Sequence, residues 1–202
     1  SLSDILIFPS GGVDQDIFNA LESNPRRNVI GFAGRFIKSK NVDLLIESMK
    51  FLADDWKLEL VGYGDQKNYL DDLVKKHGLS NKVYFFRPKS HSELANWYRT
   101  IDILVYPSET ESLGLVPLEA MSCGSLTLLS KIPAFIEFSR LGINTFYLDE
   151  ITPEFIARSI DLVNNITAIE RNEMLLNNIS LVKKHYGKVS VTEGFINAFR
   201  KL

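Results

Sequence analysis

Two carboxylates and two cations stand in this chain where side chains of their type could do chemistry. Glu111 and Glu119 lie in Pro107-Ser108-Glu109-Thr110-Glu111-Ser112-Leu113-Gly114-Leu115-Val116-Pro117-Leu118-Glu119-Ala120-Met121-Ser122-Cys123-Gly124. That stretch follows residues 101–106, which read as a buried strand, and passes through a polar turn into a short apolar helix. Glu111 precedes the helix, where unpaired backbone N–H groups and the positive end of the dipole point outward. Glu119 lies about one turn inside, among Leu115, Val116, Leu118, Ala120 and Met121. A helix-start carboxylate plus one exposed position would account for the pair; so would a small-molecule site at the carboxyl end of a parallel sheet. Arg35 and Lys40 pose the same choice. Gly34-Arg35-Phe36-Ile37-Lys38-Ser39-Lys40-Asn41 leaves a buried run at 28–34 and enters helical periodicity over 42–52. Solvated loop charge is the usual fate of Arg and Lys, yet a strand-to-helix handover is where open α/β sheets bind anions.

These residues need elements to hold them. Strands are predicted over 28–34, 57–62, 82–86, 101–106 and 126–129, and a further short one closes the sheet near 146–148. Their apolar rather than alternating character means burial on both faces. Helices are predicted between them: 42–52, 65–77 with Asp65 near its cap and Gly78 as its stop, 90–100 and the segment from 115 to Gly124. Ser90 and Glu93 form a capping box, and Thr152-Pro153-Glu154 starts another helix by cap and N1 proline. Helices continue to about residue 185, and a last one is expected over 187–202 with Val189, Phe195, Ile196, Ala198 and Phe199 as packing residues. Strands alternating with helices indicate an α/β chain, a doubly wound parallel sheet. No repeat, linker or low-complexity tract divides it, so one domain over 1–202 is expected, with a core at 9–148 and helices over 152–202.

Composition narrows the function classes. The chain has 202 residues, 45% apolar and 24% charged, as in a globular protein with a full core. A net charge of -2 argues against nucleic acid as a partner. No apolar run approaches a membrane span, and no signal-peptide layout opens the chain. The single Cys123 excludes an internal disulfide and fits a reducing compartment. His77, His91 and His185 share no ligand spacing, so no metal site is expected.

Ser108, Glu111, Gly114, Leu115, Glu119, Ala120 and Gly124 resemble the two-glutamate signature of retaining GT-B glycosyltransferases (glycosyl transferases group 1). Leu113 stands where that family usually has Phe, and Ser125 where Pro often follows the Gly. Arg35 and Lys40 match the family's Gly-Arg…Lys diphosphate-binding loop. Pro9-Ser10-Gly11-Gly12-Val13-Asp14 resembles the segment that crosses from the family's N-terminal into its C-terminal domain, with Ser10 in place of Asn. The loop at 130–137 lacks the family's glycine pair, while Glu137 matches a family glutamate in position. The resemblance runs from about residue 9 to 148.

The resemblance implies one half of a GT-B fold, a Rossmann-like domain that binds a UDP- or GDP-sugar. It implies transfer of a hexose, with retention, to a glycan, lipid or small-molecule acceptor held by an N-terminal domain absent here. In that scheme Arg35 and Lys40 neutralise the diphosphate leaving group, with Gly34 beside them. Backbone N–H groups of Leu115 and Val116, after Gly114, add dipolar stabilisation without a metal or cofactor. Glu119 accepts ribose hydroxyls, Glu111 holds hydroxyls of the transferred sugar, and Arg87 stacks on the base or pairs with phosphate. A cytoplasmic location is expected, with any peripheral membrane association confined to the missing half. A GT-B nucleotide-sugar epimerase and a non-catalytic α/β nucleotide-binding module are the alternatives.

Overall fold

In the computed structural model, residues 11–21 and 27–200 are described. The run at 5–8, the Pro9-Ser10 part of the crossing segment and the last two positions expected for the C-terminal helix lie outside them. Six parallel strands form one sheet: β1 Val29–Arg35, β2 Lys57–Tyr63, β3 Val83–Phe86, β4 Ile103–Tyr106, β5 Leu126–Ser130 and β6 Phe146–Leu148. Their spatial order is β3-β2-β1-β4-β5-β6. The chain thus steps outward from β1 in one direction, returns, and continues in the other from β4. Right-handed crossovers then place the connecting helices on opposite faces. Helix α1 (Val42–Ser48) packs against α2 (Lys67–Lys76) and α6 (Pro153–Asn164). Helix α4 (Leu115–Ser122) packs between α3 (His91–Tyr98) and α7 (Ala168–Tyr186), and α5 (Pro133–Arg140) links β5 to β6. Between these layers every residue of β4 and β5 is buried, and so are the first five of β1. That two-sided burial is why these strands lack polar alternation.

The local start signals hold where the chemistry is local. Ser90 caps α3 in a capping box with Glu93, and Thr152 caps α6 ahead of Pro153. Four expectations are corrected by packing. Helix α2 starts at Lys67 without a side-chain cap, because the Gln66 N–H is held by the Phe36 carbonyl at 3.1 Å. Helix α1 ends at Ser48; the next N–H groups turn back to carbonyls three residues behind, although Met49 and Leu52 remain buried. Strand β4 begins only at Ile103, because Asp102 turns its carboxylate onto the backbone N–H groups of Arg27 and Val29, 3.0 Å each. The last helix, α8 (Lys188–Phe199), buries Val191, whereas Val189, Phe195 and Ile196 are exposed. It packs chiefly against α7, which leaves these three toward solvent. Cys123 is buried, and burial pushes its thiol up to about 12, which leaves it unreactive.

Candidate functional site

The strand order reverses between β1 and β4, and their carboxyl ends therefore leave a crevice at the switch point. Both predicted clusters open into it. After β1 the chain makes a single 3-10 turn, Lys38–Lys40, closed by Asn41 in the left-handed region at φ 50°. Asn41 donates its side-chain amide to the Pro107 carbonyl at 3.0 Å, and the Glu109 N–H donates to the Ser39 carbonyl at 2.9 Å. These bonds stitch the loop after β1 to the loop after β4. The stitching brings Lys40 against Glu111 in a largely buried ion pair. Ser108, fully buried, accepts from the Lys40 ammonium at 3.1 Å, and its hydroxyl lies 3.2 Å from the Glu111 carboxylate. Arg35 ends β1, exposed and without an ion pair among the described residues.

Gly114 stands at the N-cap of α4 with φ 82°, and a Cβ there would lie 2.5 Å from the Phe135 ring. Only glycine meets both demands. No side chain caps the helix, so the N–H groups of Leu115 and Val116 lack intrahelical partners. They line a cavity of about 230 Å³ together with Tyr106, Glu111, Ser112 and Leu113. Glu119 does not line this cavity. It sits one turn deeper, accepts a hydrogen bond from the buried Tyr98 hydroxyl at 3.3 Å, and burial raises its carboxyl to about 7. Arg87 lies apart as well, at the end of β3. With Gly62, Tyr63, Phe86 and Pro88 it lines an open cleft of about 660 Å³. Three strand spacings separate β3 from β4, or roughly 14 Å. Glu137 pairs with Arg140 at 2.9 Å on the surface of α5 and takes no part in the crevice.

Lys40, Glu111, Gly114, Leu115 and Val116 thus come together, with Gly34 next to Tyr106 and Arg35 exposed at the end of β1 beside them. Glu119 stands behind them and Arg87 beside them. Tyr98 and Tyr106 are residues of the site that the sequence analysis missed. Each terminates an apolar pattern with a hydroxyl, which is the one signal that could have marked them. Among the described residues no cluster of His, Cys, Asp and Glu could hold a metal ion, and no helix is long and apolar enough to cross a membrane.

An open doubly wound sheet with cations and a free helix start at its switch point defines a Rossmann-like α/β domain. The chain belongs to the glycosyl transferases group 1 family, whose model matches residues 13–179. An uncharacterized glycosyltransferase of Methanocaldococcus jannaschii, MJ1607, is 31% identical over 137 residues, 67% of this chain and 35% of that protein. The lipopolysaccharide core biosynthesis mannosyltransferase LpsB of Rhizobium meliloti is 32% identical over 126 residues, 58% of this chain and 35% of LpsB. The C-terminal domain of a group 1 family protein (LpcC) from Francisella tularensis superposes with a TM-score of 0.74 at 27% identity, over 87% of this chain and 99% of that one. Anabaena HepE, solved in complex with UDP-glucose, shares the fold at a TM-score of 0.81 and 19% identity, over 95% of this chain and 56% of HepE. The fold is thus one half of a GT-B glycosyltransferase. The chain spans about a third to a half of the length of the curated relatives it matches.

Proposed function

We propose that this chain is the donor-binding half of a retaining hexosyltransferase that takes its sugar from a UDP- or GDP-sugar. The observation that carries the reading is the convergence of Lys40, Glu111 and the free start of α4, from loops about 70 residues apart in the chain, with Arg35 at the end of β1 beside them. A diphosphate laid across the ends of β1 and β4 meets two cations and the N–H groups of Leu115 and Val116. Each charge-assisted contact is worth about 1.5–3 kcal/mol. In that position they stabilise the negative charge that grows on the leaving diphosphate as the glycosidic bond breaks. No metal is called for in this scheme.

The diphosphate takes over the Lys40 ammonium that Glu111 now occupies, and Glu111 turns to the hydroxyls of the transferred sugar. The cleft beside Arg87 then receives the base, one nucleotide length along the sheet edge, and Glu119 accepts the ribose hydroxyls between the two. The acceptor belongs to a second, N-terminal domain, and any membrane association belongs to that half too. HepE, seen with UDP-glucose, agrees with a donor of this class.

Calorimetry with UDP and GDP tests the reading. Arg35→Ala and Lys40→Ala each weaken diphosphate binding by about tenfold or more while leaving nucleoside binding nearly unchanged. Equal losses for nucleoside and diphosphate would place these cations away from the phosphates.

A further inference from the structure

Tyr106 lies at the centre of the site without contacting the donor in the proposed binding mode. It is the last residue of β4, 4% exposed. Its ring stacks on Phe32 at 5.1 Å and meets Phe135 edge-on at 6.1 Å, which fixes its plane. The Lys40 ammonium stands over the ring, 5.5 Å from its centroid. The hydroxyl lies 3.2 Å from where a Cβ on Gly34 would be, Tyr106 lines one cavity with Glu111, and Glu111, Glu119 and Arg35 are within electrostatic reach of the phenol. The residue therefore stands among Lys40, Glu111, Glu119 and Arg35.

The ring and the hydroxyl have separable duties. Every packing contact of the ring could be made by phenylalanine. A hydroxyl buried this deeply costs stability unless it has a polar partner, and Glu111 lines the same cavity. We propose that Tyr106 is a positioning residue of the donor site, aiming Glu111 with its hydroxyl and seating Lys40 with its ring. Burial and the two carboxylates hold the phenol far above its ordinary titration range, so it remains a donor at any physiological pH. The hydroxyl matters most once a diphosphate has drawn Lys40 away. It is then the donor that keeps Glu111 directed at the sugar and prevents the carboxylate from swinging into solvent. Gly34 belongs to the same device, since a side chain there would push on the hydroxyl.

The inference rests on the donor reading, and two variants separate the two. Tyr106→Phe keeps the ring; Tyr106→Leu removes both functions. Binding of UDP, UDP-glucose, GDP and GDP-mannose is measured by calorimetry beside the thermal midpoint of each variant. In Tyr106→Phe the affinity for bare diphosphate stays within about twofold of the wild type, while the preference for the sugar nucleotide over the diphosphate falls about tenfold. Tyr106→Leu weakens the diphosphate as well. A purely structural role would instead move the thermal midpoint and both affinities together. An unchanged sugar preference in Tyr106→Phe overturns the proposal.

If the wild-type chain binds none of the four, the donor reading fails, and the contact is decided on the free protein. Proton NMR should then show a slowly exchanging low-field hydroxyl resonance that Tyr106→Phe abolishes and Glu111→Gln shifts. Its absence in the wild type overturns the contact itself.

Discussion

Glu119 is the residue on which the fold works hardest. Burial among the helices raises its carboxyl to about 7, and the hydrogen bond from Tyr98 only partly counters this. A carboxyl raised in the folded state binds more protons there than in the unfolded chain between its ordinary pKa and about 7. Stability therefore falls as pH rises through that window and levels off above it. The full cost of ionisation is about 3 kcal/mol. Glu119→Gln keeps an acceptor for Tyr98 and carries no charge. It should match the wild type near pH 5 and exceed it at pH 8 by up to that amount, read by urea denaturation at the two pH values. A constant difference across pH would mean that Glu119 is already solvated.

At the scale of elements, the site depends on how α4 begins. Its eight residues are apolar on nearly every side, and α3 and α7 enclose it. Sequence periodicity therefore does not orient it; Gly114 and the Phe135 ring do. Gly114→Ala requires a left-handed alanine and a displaced aromatic ring, for a loss of about 1–3 kcal/mol. Because Glu111 and the free N–H groups flank this position, donor binding should fall with it. The check is a thermal melt and a UDP titration of the same variant. Retained binding at full stability would show that the loop has another way to turn.

For the whole molecule, binding and transfer should separate. Arg35, Lys40, Glu111 and Glu119 all lie on this chain, so it should bind a donor nucleotide without a partner. The matched relatives are about twice as long, and in our reading the remainder carries the acceptor. Without it the donor lies in an open half-cleft. The orientation that makes transfer effectively unimolecular, worth roughly 7–11 kcal/mol of barrier, is missing. Incubation with labelled sugar nucleotides and an acceptor library should give binding but no transfer. Turnover at an ordinary enzymatic rate would show that the other half is dispensable and would remove the basis for a two-domain mechanism.

The sequence by itself determined the fold class, the family resemblance and most of the elements; the segment at 130–137, expected as a loop, instead enters α5 at Pro133. Buried strands reveal themselves as apolar runs, capping boxes as local pairs such as Ser90 and Glu93, and loop chemistry as short motifs around Arg35 and Glu111. These are short-range properties, written within a few residues. The tertiary structure decided the rest. That β1 lies beside β4 follows from pairing residues about 70 apart, and it alone lets Lys40 reach Glu111. The raised carboxyl of the half-buried Glu119 and the buried ring of Tyr106 exist only because other elements pack against them. The exposed face of α8 likewise follows from its packing on α7 alone among the helices it meets closely. Desolvation and long-range proximity are properties of the packed chain, and no local pattern encodes them.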